Sequence, residues 1–157
     1  MKKIILLHLT IVLTISLMAQ KSDSTNQSFD TVAIKNTIEN FLTAASNYDI
    51  EAISSMFTSN ANISGTSLVN EKWHSYTITI QEFITALKSD PNRKTYKEPV
   101  DNWIIHIESG QLAFVRADAK LINDGKAQRH NIDYFTLVKD NMGWKILNGS
   151  YVSTPIE

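Results

Sequence analysis

Asp133 is the residue with the most chemistry to offer in this chain. It sits within Asn-Ile-Asp-Tyr-Phe-Thr-Leu-Val-Lys-Asp-Asn-Met-Gly-Trp-Lys-Ile-Leu, residues 131–147, which reads as two strands joined by a polar loop. Strand alternation puts Asn131, Asp133, Phe135 and Leu137 on one face. His130, Ile132, Tyr134, Thr136 and Val138 share the other. An acid on the apolar, inward face is costly to bury charged, so it is expected to be paired or protonated. One reading has Asp133 exchanging a hydrogen bond with a ligand. The other ties it to a neighbouring strand or to His74 with no ligand at all.

Trp73, His74 and Tyr76 lie just before a helix. Aromatic side chains there would form a stacking wall or lid, or else cap the core. His74 is a possible acid or base, since an imidazole titrates near neutrality. Trp103 and His106 fall on opposite faces of one strand and cannot both face a cavity unless a bulge intervenes. His106 and His130 have no second ligand at metal spacing, so no metal site is expected. There is no cysteine, no Gly-x-Ser-x-Gly elbow and no glycine-rich phosphate loop. Disulfides, thiol catalysis, hydrolase triads and nucleotide chemistry therefore have no support, and no cofactor is expected.

The elements that position these residues follow from periodicity. Asp30 is expected to cap a helix whose apolar positions are Val32, Ala33, Ile34, Ile38, Phe41, Leu42 and Ala45. Asn47-Tyr48 breaks it. Asp49 caps a second helix carrying Ile50, Ile53, Met56 and Phe57. Residues 61–64 suggest a short strand, and 65–76 read as loop. Thr79 and Glu82 fit a capping box for a third helix, ended by Asp90-Pro91-Asn92. Strands follow at 100–108, 112–122, 127–138 and 144–152. Asn123-Asp124-Gly125 is a strong turn signal. Trp144, Ile146, Asn148 and Ser150 are predicted inward on the last strand. In the second of these strands Val115, Ala117, Ala119 and Leu121 face inward. The small alanines leave room between sheet and helix, for a cavity or for larger residues opposite. Helices first and antiparallel strands after is an α+β layout.

The chain has 157 residues and a formal charge of -1, with acids and bases interspersed. That suits one domain with its own core and gives no basic face for nucleic acid. Met1-Lys2-Lys3, the apolar run Ile4 to Met18 and the small Ala19 form a secretory signal pattern, predicting residues 1–19 as a cleaved signal. Residues 20–29 read as a flexible lead-in and 30–157 as the domain. The expected product is exported to periplasm or medium, with no stable membrane anchor after cleavage.

The order of these pieces resembles the nuclear transport factor 2-like superfamily, in its secreted, SnoaL-like branch. The resemblance rests on Tyr48-Asp49-Ile50-Glu51-Ala52-Ile53-Ser54-Ser55-Met56-Phe57, on Gln81-Glu82-Phe83-Ile84, and on Ile132-Asp133-Tyr134-Phe135 through Gly143-Trp144-Lys145-Ile146. It implies a cone: a curved antiparallel sheet wrapped around N-terminal helices and enclosing a pocket. That resemblance extends to a steroid isomerase branch, which uses a base Asp with an oxyanion hole of Tyr and protonated Asp. Aligned to it, this chain keeps the second acid as Asp133. It has Phe41 at the tyrosine position and Gly65 at the base position. Two of three groups are missing, which weighs against an enzyme of that type.

The resulting expectation is non-catalytic binding of a small, mostly apolar molecule by Phe41, Trp73, Tyr76, Asp133, Phe135 and Asn148. The alternatives are a cofactor-free lyase or isomerase using His74 and Asp133, or an association module with a filled pocket. Ile132, Tyr134, Val138, Leu147 and Tyr151 are expected to form an apolar patch on the outer sheet face. Such patches mark interfaces. Relatives of this fold dimerise there, so a homodimer is expected.

Overall fold

The computed structural model describes residues 27–91 and 94–156. The expected signal and the start of the lead-in lie outside them. Helix α1 covers residues 27–47, α2 Ile50–Met56, β1 Phe57–Val69, β2 Lys72–Thr79, α3 Ile80–Ser89, β3 Val100–Glu108, β4 Leu112–Asn123, β5 Lys126–Asp140 and β6 Gly143–Pro155. The fold is α+β: the helices pack on one face of a six-stranded sheet ordered β2-β1-β6-β5-β4-β3.

α1 buries Ile34, Ile38, Phe41, Leu42, Ala44 and Ala45 as one stripe. Val32 and Ala33, predicted on that stripe, are exposed because they fall on the opposite side of the helix. Asp30 is not the cap either. The helix is already formed at residue 27, so Asp30 lies inside it and is held by tertiary partners. Trp144 Nε1 donates to Asp30 Oδ1 at 2.9 Å, and Lys139 Nζ pairs with the same oxygen at 2.6 Å. Tyr48, at φ 58°, takes the chain out of α1. Asp49 then caps α2, accepting from the Ala52 amide at 3.1 Å.

The segment 65–76, read as loop, is a hairpin instead. Asn70 (φ 48°) and Glu71 (φ 63°) supply the two left-handed residues of a tight turn between β1 and β2. Their sequence is too polar and too poor in glycine to announce it. The α3 capping box forms as expected: Glu82 N donates to Thr79 Oγ1 at 3.2 Å, and Thr79 N to Glu82 Oε2 at 2.8 Å. Ser109-Gly110 and Asp124-Gly125 are the other left-handed turn pairs.

Two features correct the expected meander. The sheet is mixed, because β6 returns to lie parallel to β1 while every other pairing is antiparallel. A β-bulge also interrupts β5 and β6. Thr136 pairs with Asn148 but Leu137 pairs with Ile146, so Leu147 is the extra residue. A single inserted residue reverses which side chains point inward. Trp144 and Ile146 therefore face the core, but beyond the bulge it is Gly149, Tyr151 and Ser153 that turn in. Asn148 and Ser150 are exposed.

The core lies between α1, α2 and the inward faces of β4 to β6. Ile34, Ile38, Ile53, Leu137 and Ile146 are its largest fully buried side chains. Each contributes about 1.5–3 kcal/mol by leaving water. Among the described residues no helix is long and apolar enough to cross a membrane.

Candidate ligand cavity

One inward row of cross-strand partners defines the site. It runs Trp103, Ala117, Asp133, Tyr151, Gly65, Tyr76 across six strands. Ala117 opposite Asp133 leaves volume beside the carboxyl. Gly65 leaves volume for two rings: a Cβ there would lie 2.6 Å from both Tyr151 and Tyr76. Those tyrosines meet edge to face and share a hydroxyl–hydroxyl hydrogen bond of 2.9 Å. The glycine at the expected base position thus makes room for a phenol pair.

The cavity that results has a volume of about 310 Å³. Its apolar wall includes Phe41, Phe57, Phe83 and Phe135, with Phe41 edge-on to Phe57 at 4.9 Å and to Phe135 at 6.0 Å. Gly149, opposite Phe135, gives that ring clearance. The polar end gathers Asp133, Asn131, Glu98, Arg129, Tyr76, Tyr96 and Tyr151.

Burial holds the carboxyls at this end above their ordinary range. Burial pushes the Asp133 carboxyl up to about 8, and the charges of Glu98 and Asp118 add to the effect. Burial also raises Glu98, although the amide of Asn131 Nδ2, donating to Glu98 Oε1, works against it. Burial and the Tyr151 hydroxyl raise Tyr76; burial, then Glu98 and three further groups, raises Tyr96. Arg129 is engaged from Nε to Ser153 Oγ at 2.7 Å and from Nη2 to the carbonyls of Leu68 and Ser153, each at 3.0 Å.

Of the residues singled out from sequence, Phe41, Tyr76, Asp133 and Phe135 line this cavity. Three others do not. Trp73 is 55 % exposed, on the opposite face of β2 from Tyr76. His74 is exposed, one step beyond the cavity wall opposite Ser67, so it neither ties Asp133 down nor shares a pocket with it. Asn148 points out because of the bulge at Leu147. Tyr151, expected outside, lines the cavity for the same reason.

Arg129, Glu98 and Tyr96 were not singled out. Strand alternation would have found Arg129, two residues before Asn131. Tyr96 and Glu98 lie in the irregular segment before β3, where no periodicity points inward.

A family model described as "Putative lumazine-binding" matches residues 29–152. The chain belongs to this family. Among solved structures it is similar to a nuclear transport factor 2-like protein with a cystatin-like fold from Novosphingobium aromaticivorans. That pair has a TM-score of 0.65 at 13% identity, covering 83% of this chain and 86% of the other. A cystatin-like protein from Nostoc punctiforme gives 0.64 at 14%, covering 80% and 91%. A Novosphingobium aromaticivorans protein named "Putative Scytalone Dehydratase" gives 0.64 at 13%, covering 83% and 88%. At these identities the likeness shows the shared fold: this lumazine-binding-family chain has the nuclear transport factor 2-like cone. No curated protein matches.

Proposed function

We propose that this chain binds a small, mostly apolar molecule in the cavity and releases it unchanged. The observation that carries the reading is a buried Asp133, its carboxyl pushed up to about 8, beside an aromatic-walled space of about 310 Å³. A carboxyl held at about 8 keeps its proton at neutral pH and can donate a hydrogen bond to a ligand carbonyl. The positions where an isomerase of this fold would carry a tyrosine and a base hold Phe41 and Gly65. The family description, naming lumazine binding, agrees with a small-molecule site. Native mass spectrometry of the purified protein tests this: a co-purifying molecule of constant mass is expected. A protein stripped of nothing, with no added aromatic compound retained, would leave only the association-module reading.

A second reading is a cofactor-free lyase or isomerase. His74 is too far out to serve it, but Glu98 shares the cavity with Asp133, and two mutually repelling carboxyls can divide acid and base roles. Conversion of the co-purifying molecule on incubation would favour it.

Export is part of the proposal, supported by Lys2-Lys3, the apolar run and Ala19. N-terminal sequencing of exported material should find the chain beginning next to Ala19. A cytoplasmic protein beginning at Met1 would refute this.

The proposal includes a homodimer through the outer sheet face, with the patch redrawn by the structure. Ile104, Phe114 and Tyr134 are 45 %, 47 % and 50 % exposed, and they surround a shallow concavity with His106, Arg116, Thr136 and Asn148. Tyr151 has left this face. Tyr134→Ala should weaken the dimer and leave the fold intact, since it removes the most exposed aromatic side chain of the patch. Light scattering decides it, and a wild-type monomer at high concentration would sink the claim.

A further inference from the structure

We propose that Arg129 anchors an anionic head group at the polar end of the cavity, so that the ligand is an apolar acid: a carboxylate carried on a hydrocarbon body. This rests on the cavity being a ligand site and names the class of ligand it takes.

Arg129 precedes Asn131 by two residues on β5 and so shares its inward face. It lines the cavity. Its side chain lies across β6 and reaches β1. Nε donates to Ser153 Oγ at 2.7 Å, and Nη2 donates to the carbonyls of Ser153 and Leu68, each at 3.0 Å. These bonds fix the guanidinium and leave Nη1 unused. Nη1 donates to nothing among the described residues, yet it is not one of the atoms sealed away without a partner, so it lies open.

No carboxylate neutralises this charge. The ion pairs among the described residues are Arg116–Asp118, Lys120–Asp101 and Lys139–Asp30. Arg129 is also not among the groups that act on the Asp133 or Glu98 carboxyls. A half-buried guanidinium held only by neutral oxygens lacks a counter-ion, and guanidinium geometry suits a carboxylate.

The groups beside it are donors as well. Ser153 is 3 % exposed, and its Oγ accepts from Arg129 Nε, which leaves its own O–H to be given away. Ser67 faces Ser153 across the β1–β6 pairing and lines the same cavity. A nitrogen and two hydroxyls with no acceptor of their own match a carboxylate, which accepts through two oxygens and offers no hydrogen. The rings of Phe41, Phe57 and Phe135 then receive the apolar body. A phosphate monoester brings a second negative charge that a lone guanidinium does not neutralise.

The test compares naphthalene-2-carboxylate with naphthalene-2-carboxamide, which has the same shape and no charge. Dissociation constants for the full chain are measured by isothermal titration calorimetry at neutral pH and low salt. Wild type should bind the carboxylate about tenfold more tightly, the value of one charge-assisted hydrogen bond. Arg129→Met should bring the two constants together. Arg129 also ties β6 to β1, so a milder variant guards against a chain that does not fold: Ser67→Ala should cut the preference about threefold. Equal binding of the two probes to wild type, or a preference for the carboxamide, overturns the proposal and needs no variant to fold. A preference that survives Arg129→Met, or that Ser67→Ala leaves untouched, overturns it too. If neither probe binds, the proposal is wrong, while a neutral molecule co-purifying in mass spectrometry would keep the wider ligand-binding reading standing.

Discussion

Asp133→Asn will make the protein more stable at neutral and alkaline pH, by up to about 5 kcal/mol. The carboxyl ionises at 3.8 when solvated and holds its proton to about 8 in the fold, because burial and the charge on Glu98 oppose ionisation. Unfolding between those values releases a proton. Stability is therefore full below the unfolded value, falls as pH rises through the window of roughly four pH units at 1.36 kcal/mol each, and levels off above about 8. Glu98 is raised by burial and acts in the same sense. An amide removes the Asp133 contribution to that slope. It also keeps a donor, so ligand retention should drop only about two- to tenfold. Urea unfolding of wild type and variant from pH 4 to pH 9 checks both parts. Parallel curves across that range would show that Asp133 is not buried as described. A chain that keeps an acid where an amide is more stable keeps it for something other than stability.

Trp144→Ala should cost about 3–5 kcal/mol, the range for emptying a buried aromatic site. The indole is 5 % exposed, and its N–H reaches Asp30 across 114 residues of sequence. Trp144→Phe separates the two contributions. It keeps much of the packing but leaves the buried Asp30 carboxylate short of one donor, for about 1–3 kcal/mol. Burial acts to raise Asp30, but hydrogen bonds from Lys139 and Trp144 and the Lys139 charge outweigh it and hold the carboxyl low. Its contribution is present above the ordinary carboxylate range and is lost as pH falls through the depressed value. Asp30 and Asp133 thus pull in opposite directions, and between them they shift the optimum to the acid side. Denaturation of the two Trp144 variants reads this directly. A neutral Trp144→Phe would show that the indole N–H contributes nothing.

Local signals in the sequence were read well where local physics decides. The alternation of β4 and β5 placed Val115, Ala117, Asp133 and Phe135 inward, and all four are buried. The Thr79–Glu82 box and the Asp124-Gly125 turn depend on residues three apart or adjacent, and both formed. What failed depends on partners distant in sequence. Asp30 looked like a cap because Lys139 and Trp144 are invisible from its neighbourhood. Asn148 and Tyr151 were exchanged because alternation assumes an unbroken ladder, and one extra residue at Leu147 breaks it. The β1–β2 hairpin was missed because its turn uses Asn70-Glu71 where glycine would be expected. Of the cavity, the apolar wall and Asp133 were legible. Glu98 and Tyr96 were not, since the segment before β3 carries no period to read.

The parallel pairing of β1 with β6 dictates an order of events during synthesis. β6 is the last of the six strands, yet it sits in the middle, joining β1–β2 on one side to β5–β4–β3 on the other. Until residues 143–155 have been made, the hairpin and the three-stranded piece are separate fragments with facing, unpaired edges. Pairings so remote in sequence form slowly. A nascent chain of this design cannot complete its sheet while its final strand is still in the ribosome tunnel. The two halves of the sheet therefore depend on β6 to become one.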